Sequence, residues 1–380
     1  MAFLAYHPDK LGFLLVMLCC FLSTTCSVRV PPANFVFGDS LVDAGNNNYI
    51  TTFSKANYVP NGIDFPGHEP TGRYTNGRTI VDVLGKSYCQ ALGLMEFTPP
   101  FLAPSTAGDV VLKGVNYASG GAGILNKTGY LFVGRINLDA QIDNFANTRQ
   151  DIIARLGSTA ASALLRSALF SVTIGANDFI NNYLTPLLSV PERAAVPPDV
   201  FVEAMIARYR HQLTRLYHLD ARKLVVVNVG PIGCTPYLRE VYPSATGDNC
   251  VDFPNQLAGH YNGRLRDLVA ELNTNLEGAV LVYADVYRIV TEIIRDHGSY
   301  GFDVADSACC FVNGRYGGFI PCGPSSAVCA DRSKYVFWDP YHPSDAANVV
   351  IAERLLGGGL DDISPMNVRQ LVDAGGADPP

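Results

Sequence analysis

Residues 35–48 read Phe-Val-Phe-Gly-Asp-Ser-Leu-Val-Asp-Ala-Gly-Asn-Asn-Asn. A short apolar run, Phe35 to Phe37, breaks at Gly38 and sets an acid beside a hydroxyl, Asp39 and Ser40. A buried strand that ends in Gly-Asp-Ser delivers Ser40 to the carboxyl edge of a sheet, where open α/β folds place their ligands. By itself the tripeptide is also an ordinary turn, because Asp and Ser bond to nearby backbone. The rest of the chain decides between the two.

Strand and helix patterns alternate outward from this stretch. With Pro31–Phe37 as the first strand, further apolar runs occupy Val115–Ala118, Ala168–Ile174, Lys223–Val229 and Val280–Ala284. Helical spacing of apolar residues marks Thr79–Leu92, Asn137–Leu156, Asp199–Leu219, Asn255–Leu272, Val286–Asp296 and Ser344–Leu356. The third of these starts behind Pro197-Pro198, a common placement near an N-cap. The strands are continuous apolar runs, so both their faces are buried, which implies a mostly parallel sheet between helical layers. No fixed-period repeat and no dividing linker interrupts the chain. The expectation is an α/β fold in one domain over residues 28–380, ending in a Gly-rich tail from Gly357.

The 380 residues are 48% apolar and carry a net charge of −7. No basic stripe or Lys/Arg run is present, which argues against a nucleic-acid partner. Lys10 precedes an apolar run, Leu11 to Leu22, followed by small and polar residues through Ser27. That run is short for a bilayer and fits a secretory signal, with cleavage expected near Ser27. No later stretch is long and apolar enough for a membrane helix. Of ten cysteines, Cys19, Cys20 and Cys26 belong to this leader, and seven remain. Four, Cys309, Cys310, Cys322 and Cys329, lie in one Gly-rich loop, and no Cys-x-x-Cys pair exists. A structural zinc site is therefore a poor reading, and a disulfide-stapled loop in an oxidising compartment a better one. Cys234 and Cys250 bracket a second loop and are candidates to pair; the connectivity of the others stays open. Seven is odd, and Cys89, on an expected helix, is the candidate free thiol. Asn126-Lys127-Thr128 is a glycosylation sequon, usable only on the secretory route.

Four loops carry chemistry. Ser40 follows the first strand, Gly120 (in Ser-Gly-Gly-Ala-Gly) the second, and Asn177 (in Gly-Ala-Asn-Asp) the third, while Asp339 and His342 stand in Trp-Asp-Pro-Tyr-His-Pro. In a parallel sheet the carboxyl ends of the strands line one edge, so distant residues can meet there. A serine hydroxyl needs a base within hydrogen-bond reach, and His342 can supply it. Asp339, three residues away, can hold the imidazole tautomer. The Ser40 N–H, the Gly120 N–H and the Asn177 side-chain amide are the expected oxyanion donors. Glycine at 120 lets a backbone donor approach closely. Alone, each piece reads as a turn, a cap or a satisfied histidine; their joint presence in this order points to nucleophilic catalysis. His7, His68, His211, His218, His260 and His297 have no comparable acidic partner in a like context. Asp39 is read as a structural partner that ties the nucleophile loop, and the loop Gly62–Arg78 as a wall of the acyl pocket. Asn46 to Asn48 have no assigned role.

Phe-Gly-Asp-Ser-Leu, Asn-Tyr-Ala-Ser-Gly-Gly-Ala-Gly, Ile-Gly-Ala-Asn-Asp and Asp-Pro-Tyr-His-Pro resemble the four sequence blocks of the GDSL, or SGNH, hydrolases. Arg73–Thr79, Val229–Pro236 and Ser364–Asn367 resemble the plant secreted branch, and the likeness runs from about Asn34 to Leu371. The resemblance implies a three-layer α/β/α fold around a parallel five-stranded sheet. It also implies an extracellular esterase or lipase of the cell wall or apoplast, acting without metal or cofactor on lipid or acylated small-molecule esters. Ser40, Gly120, Asn177 and His342 fall on the positions that name the class, with Asp339 as the third triad member. Asn61 stands where this branch has Tyr. The α/β-hydrolase fold is excluded, since no Gly-x-Ser-x-Gly elbow occurs. Two alternatives remain beside hydrolysis: transfer of the same acyl group to an alcohol, as in building a surface polyester, and a non-catalytic lipid- or carbohydrate-binding role, which predicts loss of one of the five site residues. Acyl length, alcohol part and oligomeric state are not read from the sequence.

Overall fold

Asn34–Gly38 forms strand β1, with every residue after Asn34 buried. The structure is a computed structural model. It describes residues 33–90, 97–186, 190–242 and 250–374, without the side chains of 86–90 and 190–192. The expected leader, its cleavage point near Ser27 and the thiol of Cys89 lie outside this description. β1 pairs in parallel with β2 (Leu169–Thr173), β2 with β3 (Lys223–Val227) and β3 with β4 (Val280–Ala284). Consecutive strands are thus neighbours, and all four end at the same edge.

The sheet has helices on both faces, so the expected three layers are present. Inside the apolar runs the strand period still operates, since successive side chains point to opposite faces. Phe35, Phe37, Phe170, Val172, Leu224 and Val226 pack toward α2 (Leu138–Leu156), α3 (Ser158–Ser167), α4 (Pro198–His218) and α5 (Asp252–Asn275). Leu169, Val225, Val227, Val282 and Ala284 pack toward α1 (Ile80–Gln90), α6 (Val286–Arg295) and α7 (Asp345–Gly357). Among the described residues no helix is long and apolar enough to cross a membrane.

Two expectations about the sheet change. Its fifth strand is not Val115–Ala118 but Ile363–Ser364, which pairs antiparallel with Tyr283 and Ala284. The C-terminal segment is therefore docked, and Val368 and Leu371 are buried behind it. Val115–Ala118 does lie beside β1, with the Val36 N–H donating to Val115 O and the Tyr117 N–H to Val36 O. It makes one bridge with β1 rather than a ladder because the next donor along β1, the Gly38 N–H, goes to Gln141 Oε1; on its other side Asn116 O and Ala118 O accept from Asn46 Nδ2. Aromatic packing completes the attachment, with Tyr117 stacked 5.1 Å from Phe37.

The cysteines pair as Cys234–Cys250, Cys309–Cys329 and Cys310–Cys322. The last two staple the loop beneath Trp338, which is fully buried against them just before Asp339. A covalently braced loop is a firm base for the next five residues, which carry the site's acid and histidine.

Candidate active site

Ser40 sits in the turn that follows β1. The turn is closed by Val42 and Asp43 N–H groups donating to Asp39 O. Gly38 enters it under tight constraint, since a Cβ there would stand 2.3 Å from Thr173 O. From α2, Gln141 clamps the same residue: its Oε1 accepts from the Gly38 N–H at 2.9 Å and its Nε2 donates to Gly38 O at 2.8 Å. The sequence offers no signal for this role beyond a polar residue on an inward helical position.

Ser40 Oγ lies 2.7 Å from His342 Nε2. His342 Nδ1 lies 2.8 Å from both oxygens of Asp339. Asp339 Oδ1 also accepts the Tyr341 and His342 N–H groups, each at 2.8 Å. The carboxylate is thus held by its own turn while it faces the imidazole, and both residues are buried. Serine, histidine and aspartate form one chain of hydrogen bonds with the ends in the order the chemistry needs. Trp338 Nε1 donates to Asn61 Oδ1, so Asn61 locks the anchor under this loop and stays out of the bond chain. Tyr74 packs 5.2 Å from the His342 ring.

The three asparagines after Gly45 are the stitching of the site. Asn46 Nδ2 donates to Asn116 O and Ala118 O, and its Oδ1 accepts from the Leu102 N–H. Asn47 Nδ2 donates to Ser54 O, Tyr74 Oη and Gly120 O, and its Oδ1 accepts from Ser119 Oγ at 2.6 Å. Asn48 Nδ2 donates to Thr71 O. An amide carries donors and an acceptor on one short stem, which suits it to tie three backbone segments at once.

Asp43, four residues after Asp39, corrects one expectation. Its Oδ1 accepts the Gly45 and Asn46 N–H groups, and its Oδ2 accepts the Gly120 N–H at 2.9 Å. The Gly120 donor is therefore spent inside the loop and does not face the cleft. Gly121 lines the cleft instead, with φ at +83°, and its N–H has no acceptor among the described residues. Burial pushes the Asp43 carboxyl up to about 6, with its N–H donors pulling the other way. Asn177, at the end of β2, does reach the cleft. Its Nδ2 donates to Ala122 O at 2.9 Å and its Oδ1 accepts from Asn181, which leaves one amide hydrogen for a ligand. The Ser40 N–H is likewise without an acceptor among the described residues. Asp178 holds the other side of the glycine loop by accepting from Ile124 N, Leu125 N and Thr128 Oγ1.

These groups open on a cleft of about 200 Å³ with walls that include Phe53, Phe132, Ile180, Ile232 and Tyr341. Tyr74 lines it too, so the Gly62–Arg78 loop does contribute to its wall. Residues 35–355 match the family model of the GDSL-like lipase/acylhydrolases. The chain belongs to that family. It is 60% identical to a GDSL esterase/lipase of Arabidopsis thaliana over 95% of its own length and 98% of the other. A second Arabidopsis thaliana GDSL esterase/lipase is 54% identical, covering 90% and 88%. GDSL esterase/lipase 7 of the same plant is 41% identical, covering 90% and 92%. As a GDSL-family enzyme the chain is a carboxylic ester hydrolase.

Proposed function

We propose that this GDSL-family hydrolase is a secreted serine esterase or lipase that works through an acyl-enzyme on Ser40. The observation that carries the reading is the Ser40–His342–Asp339 bond chain, with contacts of 2.7 and 2.8 Å. His342 Nε2 takes the Ser40 proton as Oγ attacks the ester carbonyl. The oxyanion that forms is met by the Ser40 N–H, the Gly121 N–H and the free hydrogen of Asn177 Nδ2. Collapse of the intermediate expels the alcohol, to which His342 returns the proton. A water then gives a proton to His342 and attacks the acyl-serine. The carboxylic acid leaves, and Ser40 regains its hydrogen. Asp339 holds the imidazole and stabilises the imidazolium in both halves.

The apolar cleft walls suit an acyl chain of a lipid or small-molecule ester. Three disulfides and an exposed sequon at Asn126 fit an extracellular protein, and the apolar leader at residues 11–22 supplies the route. Catalysis then belongs to a single domain over residues 28–380. The test is Ser40→Ala against wild type on short- and long-chain p-nitrophenyl esters. The variant loses turnover by about 10³-fold or more; full activity in it would end the assignment. The chain-length profile of the wild type names the acyl group.

A further inference from the structure

Besides Asp339, three buried carboxylates surround the nucleophile, and they differ in support. Asp43 has the N–H groups of Gly45, Asn46 and Gly120. Asp178 has two N–H groups and the Thr128 hydroxyl. Asp39, next to Ser40, has one donor, the Leu41 N–H on Oδ1 at 3.0 Å. Its Oδ2 is shut away from solvent and has no hydrogen-bond partner. The residue is 1% exposed.

The groups facing Asp39 do not welcome a charge. From the turn after β2 comes Asp178, a second acid whose field disfavours ionisation. From α4 comes Tyr209, buried, with a hydroxyl that also has no partner. Beside Tyr209, from α5, stands Tyr261, whose hydroxyl is equally alone. The one cationic influence is the His342 imidazole, already engaged with Asp339 and Ser40. A charged carboxylate buried without a pair is among the most costly arrangements in a protein, whereas a carboxylic acid there is tolerated. Burial accordingly pushes the Asp39 carboxyl up to about 7, with the Leu41 N–H and His342 opposing it.

We propose that Asp39 is held as a neutral carboxylic acid and acts as a positioning residue, and that losing its proton switches the enzyme off. This rests on Ser40 being the nucleophile. Asp39 O accepts the Val42 and Asp43 N–H groups, so the residue is the hub of the turn that aims Ser40. An ionised Oδ2 draws water toward it, which opens that turn. It also sets a negative charge one residue from the Ser40 N–H, where the oxyanion develops. Both effects lower turnover. Activity therefore falls on the alkaline side of neutrality, where an ordinary Ser–His–Asp site holds a plateau once its histidine is neutral.

Two measurements on the full-length secreted chain test this. The first is the pH dependence of kcat/KM on a p-nitrophenyl ester for wild type, Asp39→Asn and Asp39→Glu. Above about pH 7 the wild type declines by up to about tenfold per unit, and Asp39→Asn, which copies the neutral acid, loses that decline. Asp39→Glu, too long for the space, is slow at every pH. The second is infrared difference spectroscopy of wild type against Asp39→Asn. A carboxylic-acid C=O band is present at about pH 6 and disappears by about pH 9, independent of any turnover. An alkaline decline that persists unchanged in Asp39→Asn overturns the switch, and no acid band at about pH 6 overturns the neutral state. If the wild type neither hydrolyses esters nor is labelled at Ser40 by a fluorophosphonate, the serine-esterase reading fails instead, and the band still decides the state of Asp39.

Discussion

Replacing Asp43 with Asn exchanges one oxygen for an NH2 group and separates aiming from chemistry. Asp43 Oδ1 faces two donors, the Gly45 and Asn46 N–H groups at 2.7 and 2.8 Å, and Oδ2 faces one, the Gly120 N–H at 2.9 Å. In Asp43→Asn the amide oxygen stays with the two donors, which turns Nδ2 against the Gly120 N–H. One charge-assisted bond, worth about 1.5–3 kcal/mol, is lost, and a buried N–H is left unpaired. The fold therefore loses about 3 kcal/mol. The kinetic effect comes through Gly121, which the Gly120 anchor places at the cleft. Removing one oxyanion donor costs about 10²–10³ in kcat, or about 2.7–4 kcal/mol. Because the donor acts in the transition state, kcat and kcat/KM fall together while KM stays within about threefold. Steady-state kinetics on a p-nitrophenyl ester and urea unfolding at the same pH read the two quantities. Labelling of Ser40 by a fluorophosphonate counts folded sites, since Ser40 and His342 are untouched. A variant destabilised as expected but with wild-type kcat would refute the reasoning, because the Gly120 anchor would then have no part in aiming an oxyanion donor.

The Cys234–Cys250 bridge closes a loop with a sequence separation of 16. Loop-closure entropy for that length makes the double Cys→Ser variant less stable by about 3 kcal/mol, measured by chemical unfolding under non-reducing conditions; no change would show that the unfolded loop is already constrained. The Arg73–Asp82 pair is buried, with Asp82 also accepting from the Thr79 N–H and hydroxyl, and the guanidinium lies 4.6 Å from the Phe65 ring centroid. Burial alone would raise the Asp82 carboxyl, but Arg73 and Thr79 hold it below its ordinary value. Asp82→Ala leaves the guanidinium without its counter-charge, with only neutral acceptors at Thr71 Oγ1 and Ala44 O, and costs about 3–5 kcal/mol, read as a lower Tm; an unchanged Tm would mean that those acceptors or water suffice for Arg73.

Much of the site is legible in the chain because its signals are local. An apolar run ending in Gly-Asp-Ser is a strand meeting a turn whatever surrounds it. Asp339 and His342 meet because three residues of one turn bring them together. Parallel strands bring Ser40 and Asn177 to one edge, so topology alone accounts for their meeting. The misassignment of Gly120 has a different origin. Two adjacent glycines look alike in sequence, and only the Asp43 carboxylate, reaching across from the nucleophile loop, decides which N–H is spent and which is free.

What the sequence by itself determined is the layered α/β fold, the order of its elements and which serine, histidine and aspartate the fold brings into one hydrogen-bonded chain. Apolar period and residue spacing carry that information along the chain. Only the tertiary structure decided the antiparallel fifth strand, the disulfide pairing, the Gln141 clamp on Gly38 and the work of Asn46, Asn47 and Asn48. The physical reason is the same for each. A backbone carbonyl or N–H accepts a partner by direction and distance, and a side chain's short-range pattern holds no record of which distant segment will stand there. In this chain two asparagines, bland by position, tie the Asn116–Gly120 segment to the turn after β1, and a third, Asn48, ties that turn to Thr71.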